Sequence, residues 1–120
     1  MPSVLVVDDD PDVRVMLETY LELEGFDVLT ASNGLDALQR LRDVRPSVIL
    51  LDLMMPQLSG QQFRRFLSAD PRLAGIPVVV VSASPTADEE SQRMGAVACI
   101  HKPVDLDGML SIIRRYLPAR

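Results

Sequence analysis

The sequence predicts an α/β fold in which five parallel strands form a doubly wound sheet with helices on both faces. Strand-like and helix-like segments alternate five times along the 120 residues, as they do in consecutive βα units. Three of the strand segments are continuous apolar runs, which is typical of parallel strands covered on both faces. No repeat, linker or low-complexity stretch interrupts the alternation, so we expect residues 1–120 to form one domain.

The first βα unit begins with the apolar run 3–7, which predicts a strand. Asp10 can cap the helix that follows, with Pro11 at the first helical position, where a missing N–H costs nothing. Gly25 ends that helix. Its apolar positions follow helical spacing: Val13, Met16, Leu17, Tyr20 and Leu21.

The second unit has a more polar strand, over residues 26–31, which we therefore expect at an edge of the sheet. Asn33 and Gly34 lead into a helix that Pro46 closes. The side chains expected to face inward from this helix are Leu35, Leu38, Leu41 and Val44.

The remaining units continue the pattern, with strands predicted over 48–51, 77–82 and 97–101 and a loop over 53–59. Asp105 can cap the last helix. The apolar positions are Phe63, Phe66 and Leu67 in the third helix and Leu106, Met109, Leu110, Ile113 and Leu117 in the last.

The fourth helix, over residues 86–94, has an unusually thin apolar stripe. Only Ala87, Ser91 and Met94 are candidates to face inward. Since most helical stability in proteins comes from packing, we expect this helix to be the easiest one to shift.

The composition excludes several classes of protein. The net charge is −5 and the cationic residues are not clustered, so there is no basic surface for nucleic acid. One cysteine cannot form an intramolecular disulfide, which fits a reducing compartment. The chain shows neither the pattern of a signal peptide nor an apolar run of transmembrane length. We expect a soluble cytoplasmic domain that does not contact nucleic acid or membrane directly.

Polar side chains stand where the predicted strands end. Asp8 and Asp9 follow the first strand, Asp52 follows the third, Ser82 ends the fourth, and Lys102, the only lysine in the chain, follows the fifth. The carboxyl ends of parallel strands share one edge of the sheet, which is where open α/β sheets bind ligands. Three carboxylates in a small space need a cation, and a set of hard oxygen ligands favours Mg²⁺ over zinc or copper.

These side chains suit phosphoryl transfer. Asp52 stands alone at the end of a central strand and is the best candidate nucleophile, forming an acyl phosphate. Lys102 and Ser82 would stabilise the charge on the phosphoryl oxygens. The competing interpretations are that the acids before Pro11 only cap a helix, that Ser82 bonds a local backbone group, and that Lys102 is a solvated surface lysine. The ordered set at the strand ends favours the phosphoryl site.

With these residues the chain resembles, from end to end, the receiver domains of two-component response regulators. The resemblance implies a flavodoxin-like fold with the strand order 2-1-3-4-5. The stretches that carry it are Val4-Leu5-Val6-Val7-Asp8-Asp9-Asp10-Pro11, Leu51-Asp52-Leu53-Met54-Met55-Pro56 with Gly60, Val81-Ser82-Ala83, Gly95-Ala96 and His101-Lys102-Pro103.

The resemblance implies a signalling switch, not an enzyme that turns over a substrate. Asp52 would accept phosphate from a phosphohistidine on a sensor histidine kinase or a histidine phosphotransfer protein. Mg²⁺ would be bound by Asp9, Asp52 and the carbonyl of Met54, with Asp8 acting mostly through water. The switch would then change its interaction with an unknown downstream protein.

The resemblance also implies a cis peptide bond between Lys102 and Pro103. It places the kinase-facing surface at the start of the first helix, including Asp12 and Arg14, and at the Pro103–Val104 loop.

One departure from the family pattern concerns Cys99, which stands three residues before Lys102, where the family usually has Tyr or Phe. A cysteine has too little volume to gate the surface of the fourth helix as that ring does. Switching is then expected to use the loop over 83–86 and the weak helix after it. Cys99 shares its strand face with His101, but two ligands alone do not make a zinc site, so zinc is rejected there.

Two other functions remain as alternatives. The first is an interaction module of the same fold that works without phosphorylation, which Cys99 makes conceivable. The second is a phosphohydrolase of the haloacid-dehalogenase type, which would need an aspartate two residues after the nucleophile, where this chain has Met54.

Overall fold

The computed structural model describes residues 2–54 and 58–117. Strands and helices alternate along the chain. In order they are β1 Ser3–Val7, α1 Pro11–Leu23, β2 Asp27–Ala31, α2 Gly34–Arg40, β3 Val48–Leu51, α3 Gly60–Ala69, β4 Val78–Ser82, α4 Ala87–Arg93, β5 Ala98–His101 and α5 Leu106–Tyr116.

All the paired strands are parallel and form one sheet in the order β2-β1-β3-β4-β5. The predicted fold class and strand order are confirmed. The more polar β2 lies at an edge, as expected, and β5 lies at the other edge. In the part of the chain that the structure describes, no helix is both long and apolar enough to cross a membrane.

The strand side chains alternate between two apolar cores, one on each face of the sheet. Leu5, Ile49 and Val80 pack on the face covered by α2, α3 and the end of α4. Val4, Leu50 and Val79 pack on the face covered by α1 and α5. The inner strands are therefore buried on both sides, which explains why their sequences are continuous apolar runs.

One of the two predicted helix caps forms, and two further caps are present. Asp10 Oδ1 accepts the N–H groups of Asp12 at 2.9 Å and Val13 at 3.5 Å. The side chain of Asn33 caps α2. Ser59 caps α3 as part of a capping box. Asp105 precedes α5 as expected, but its side chain makes no capping hydrogen bond.

The second helix differs from its prediction, because α2 ends at Arg40 and does not continue to Pro46. After Arg40 the backbone forms a turn in which hydrogen bonds join residues three apart. One of them runs from the Asp43 N–H to the Arg40 carbonyl at 3.2 Å. The inward face also differs: Leu35 is 53% exposed and Val44 only half-buried. The face that is buried consists of Gly34, Ala37 and Leu41.

Gly34 explains this rotation of α2. A Cβ at Gly34 would lie 2.7 Å from Leu58 Cδ2, so only glycine lets the helix approach Leu58 this closely. A similar shift in face leaves Phe66 exposed in α3 and Met16 exposed in α1, while their neighbours Phe63 and Leu17 are buried.

The fourth helix is as thinly anchored as its sequence predicts. The buried residues around it are Ala87, Ser91 and Met94, and α4 itself has only 7 residues. Thr86 precedes it without a side-chain capping bond. The helix that borders the candidate site on the β4–β5 side therefore has only a small buried face.

Candidate functional site

The polar side chains predicted to meet at one edge of the sheet do so. Backbone hydrogen bonds prolong the sheet ladder past the strand ends. Asp52 N–H donates to the Val7 carbonyl at 2.9 Å, and Lys102 N–H donates to the Ser82 carbonyl at 3.0 Å. The backbones of Asp52 and Lys102 are thus held by a neighbouring strand as well as by their own.

Three carboxylates form the acidic cluster of Asp8, Asp9 and Asp52. One oxygen from each lies within 4.8 Å of the others. Asp8 and Asp52 are buried, with only 2% and 4% of their surfaces exposed, whereas Asp9 faces solvent. Two buried acids this close repel each other unless a cation compensates.

Lys102 supplies that cation. Its Nζ lies 2.8 Å from Asp8 Oδ2 and 3.3 Å from Asp52 Oδ2. Only 20% of the lysine side chain is exposed. The interpretation of Lys102 as a solvated surface lysine is therefore wrong.

The second oxygen of each buried acid accepts a backbone hydrogen bond. Asp8 Oδ1 accepts the Asp10 N–H at 2.9 Å, and Asp52 Oδ1 accepts the Met54 N–H at 3.0 Å. Both carboxylates thus have one oxygen facing a backbone N–H and the other facing Lys102. Asp8 is therefore part of the charged site and not merely a helix cap.

The charges shift the protonation equilibria of the site. Burial raises the pKa of Asp52, and the negative charge of Asp8 raises it further, against the opposing effects of the Met54 N–H and Lys102. Burial lowers the pKa of Lys102, but its hydrogen bond to Asp8 and the charges of both acids outweigh this and leave the pKa raised. The raised pKa keeps Lys102 positively charged. The raised pKa of Asp52 means that its deprotonated form is less favourable here than in water.

Ser82 is completely buried at the end of β4, and its Oγ accepts the Ser84 N–H at 3.1 Å. This is the local backbone bond considered as the competing role, and it leaves the hydroxyl proton free to be donated. From Ser84 a chain of side-chain bonds reaches α4. Thr86 Oγ1 lies 3.1 Å from Ser84 Oγ and donates to Glu90 Oε2 at 2.9 Å.

Sequence reasoning did not identify this Ser84–Thr86–Glu90 network. The four-residue spacing of Thr86 and Glu90 is a signal that could have suggested their contact. A second contact that the sequence did not indicate is the hydrogen bond that Arg14 Nη1 donates to the Asp8 carbonyl at 2.7 Å. The expected cis bond between Lys102 and Pro103 is present. Met55 and Pro56, which belong to one of the motif stretches, lie outside the described residues.

The sequence and the fold match those of known proteins. Residues 4–114 match the family described as the response regulator receiver domain. The protein PilH of Pseudomonas aeruginosa is 38% identical over 98% of both chains. The solved chemotaxis protein CheY4 of Vibrio cholerae superposes with a TM-score of 0.89 at 29% identity, covering 98% of this chain and 99% of that one.

A third similarity concerns the fold alone. The receiver domain of the sensor histidine kinase PA1611 from Pseudomonas aeruginosa, solved with a magnesium ion coordinated in its active-site cleft, has a TM-score of 0.88 at 23% identity, over 96% of each chain.

These matches define the class of the protein: a signalling domain of two-component systems, and not a classical enzyme. The chain belongs to the response regulator receiver domain family.

The ion pairs of Lys102 generate a stability prediction. We expect Lys102→Met to lower the free energy of unfolding in metal-free buffer by about 2–3 kcal/mol, because it leaves two buried carboxylates without a cation. Adding Mg²⁺ should then stabilise the variant more than the wild type, since the metal no longer competes with an ammonium group for these oxygens. Urea unfolding with and without Mg²⁺ measures both effects.

Arg115→Met is the matched control, because Arg115 is an exposed cation on α5. It should change neither stability nor the Mg²⁺ effect. An equal Mg²⁺ shift in wild type and Lys102→Met would contradict a shared set of carboxylates.

Proposed function

We propose that this domain is the phosphoacceptor switch of a two-component phosphorelay. Asp52 takes a phosphoryl group from the phosphohistidine of a sensor histidine kinase or a histidine phosphotransfer protein, in a Mg²⁺-dependent reaction. The observation that carries the proposal is Lys102 Nζ paired with two buried carboxylates, Asp8 and Asp52, at the carboxyl edge of a parallel sheet.

The residues present fit Mg²⁺. The acidic cluster offers only hard oxygen donors, and burial together with the charge of Asp8 already disfavours the bare Asp52 carboxylate. Asp9, Asp52 and the carbonyl of Met54 would hold the ion, with Asp8 acting mostly through water. Mg²⁺, when bound, neutralises carboxylate and phosphoryl oxygens together. The similar fold of the PA1611 receiver domain holds magnesium in its cleft.

The chemical step is assigned to residues of the chain. A carboxylate oxygen of Asp52 forms the new bond to phosphorus while the bond from phosphorus to the donor imidazole nitrogen breaks, and its electron pair returns to the imidazole. Lys102, already directed at the Asp8 and Asp52 oxygens, pairs with a phosphoryl oxygen. Ser82 donates its free hydroxyl proton to another.

The surface that meets the phosphodonor is proposed at the start of α1 and the Pro103–Val104 loop. Arg14 is fixed there by its bond to the Asp8 carbonyl. Val15 and Met16, 60% and 41% exposed, add apolar area on the same helix. The output would be changed binding of a downstream protein, and the site of action would be the cytoplasm.

Phosphorylation itself is tested by intact mass after incubation with Mg²⁺ and acetyl phosphate. We expect one phosphoryl adduct on the wild type and none on Asp52→Asn. Asp43→Asn, which changes an exposed aspartate in the turn after α2, should keep the adduct. The absence of an adduct on folded wild type that binds Mg²⁺ would favour the interaction module that works without phosphorylation.

The structural response is predicted to run through the loop before α4. A Ser82 hydroxyl drawn to the phosphate pulls on Ser84, whose side chain joins Thr86 and Glu90. We expect amide hydrogen exchange in α4 to change on phosphorylation, because α4 has little packing to resist the pull. Exchange in α1, measured in the same experiment, provides the internal reference. Identical exchange of the α4 amides in both states would refute this route.

A further inference from the structure

A second group of metal-binding side chains lies on the surface formed by α4 and β5. One oxygen of Asp88, the Cys99 sulfur and one ring nitrogen of His101 all lie within 4.8 Å of one another. His101 Nε2 is 3.0 Å from Asp88 Oδ1. These residues share no member with the acidic cluster, so they form a separate group.

The fold brings the three side chains together from two elements. Cys99 and His101 alternate along β5 and therefore point to the same face of this edge strand. Asp88 lies in the first turn of α4, which packs against that face through the buried Ala87 and Ser91. From the sequence, only the two strand residues could be grouped, and two ligands were too few for zinc. The packing of α4 supplies the third.

The donor set favours a different metal from that of the acidic cluster. A thiolate, an imidazole and a carboxylate are the ligands of Zn²⁺ and related transition metals, whereas Mg²⁺ prefers oxygen alone. Tetrahedral Zn²⁺ ligands stand about 3.5 Å apart, given metal–ligand bonds of about 2.0–2.3 Å. Since the donor atoms already lie within 4.8 Å, a small contraction of exposed side chains completes the site.

The solvent exposure of the site permits a metal ion to enter. The side chains of His101 and Asp88 are 56% and 71% exposed. A polar contact this exposed contributes little to stability, so stability alone does not explain why Asp88 and His101 lie together. Three protein ligands leave the fourth position of a tetrahedral metal to water or to a donor from a partner.

Metal binding requires the Cys99 thiol to lose its proton. Burial, together with the hydrogen bond and charge of Asp88 and against the hydrogen bond of Ser91, raises the pKa of Cys99 to about 11. The thiol is therefore protonated in the metal-free protein, and a bound metal must displace its proton. The same cation offsets the repulsion between the thiolate and the Asp88 carboxylate.

We propose that Asp88, Cys99 and His101 form a binding site for a zinc-type transition-metal ion, distinct from the Mg²⁺ site. Such an ion links α4 to β5. His101 pairs with Ser82 across the β4–β5 ladder, so the link lies directly beside the residue that meets the phosphoryl group. Metal bound here would restrain α4, the helix to which the proposed function assigns the structural response.

The test is a titration of the Mg²⁺-saturated protein with Co²⁺, which reports a thiolate ligand through a sulfur-to-cobalt charge-transfer absorption band. We expect this band in the wild type and its loss when one equivalent of Zn²⁺ is added. Cys99→Ser should abolish the band. His101→Gln and Asp88→Asn, which change exposed side chains, should each weaken binding about tenfold or more.

Two control variants locate the metal. Glu89→Gln changes an exposed acid next to Asp88, and Asp52→Asn changes the acidic cluster; both should leave the Co²⁺ band and its affinity unchanged. The proposal is overturned if folded wild type gives no thiolate band, if His101→Gln and Asp88→Asn bind as tightly as wild type, or if Asp52→Asn abolishes binding.

Discussion

The site depends on one electrostatic arrangement, in which a single ammonium group, Lys102 Nζ, lies between two buried carboxylates. Asp8 and Asp52 are almost completely removed from water, and two such charges side by side are unfavourable. Lys102 Nζ lies 2.8 Å from one oxygen of Asp8 and 3.3 Å from one oxygen of Asp52. The other oxygen of each acid accepts a hydrogen bond from a backbone N–H. The result is a charged crevice in which one ammonium group faces two buried carboxylates.

The parallel sheet is what makes this arrangement possible. Asp8, Asp52 and Lys102 are 94 residues apart at their most distant, yet each follows a strand that ends at the same edge. Apolar cores on both faces fix the strands, so the charged groups cannot easily separate to relieve their repulsion. Rigid strands thus hold the charges in place, while α4 beside them has only a small buried face.

Much of the fold and of the acidic site follows from local patterns in the sequence. Continuous apolar runs identify the inner strands, and a polar residue at the end of each run is placed by topology alone, which is why Ser82 and Lys102 are found at the site. The cap at Asp10 and the edge position of β2 are equally local. A pattern of this kind needs no knowledge of how helices pack.

The features that sequence did not reveal depend on helix packing. The inward face of α2 is set by the fit of Gly34 against Leu58, a contact between distant residues. Phe66 follows Phe63 by three residues in the same helix, but its side chain is exposed and Phe63 is buried. Asp88 reaches His101 only because α4 lies across β5, so the group on that surface becomes visible only in three dimensions.

The measurement that most directly tests the account is a double-mutant cycle of Asp52→Asn and Lys102→Met, with free energies of unfolding measured in metal-free buffer. If Lys102 compensates the buried charge of Asp52, Lys102→Met should destabilise the Asp52→Asn background by clearly less than it destabilises the wild type, with a coupling of about 1 kcal/mol or more. Additive effects of the two substitutions would show that the lysine does not support the charge of Asp52, and would contradict the account.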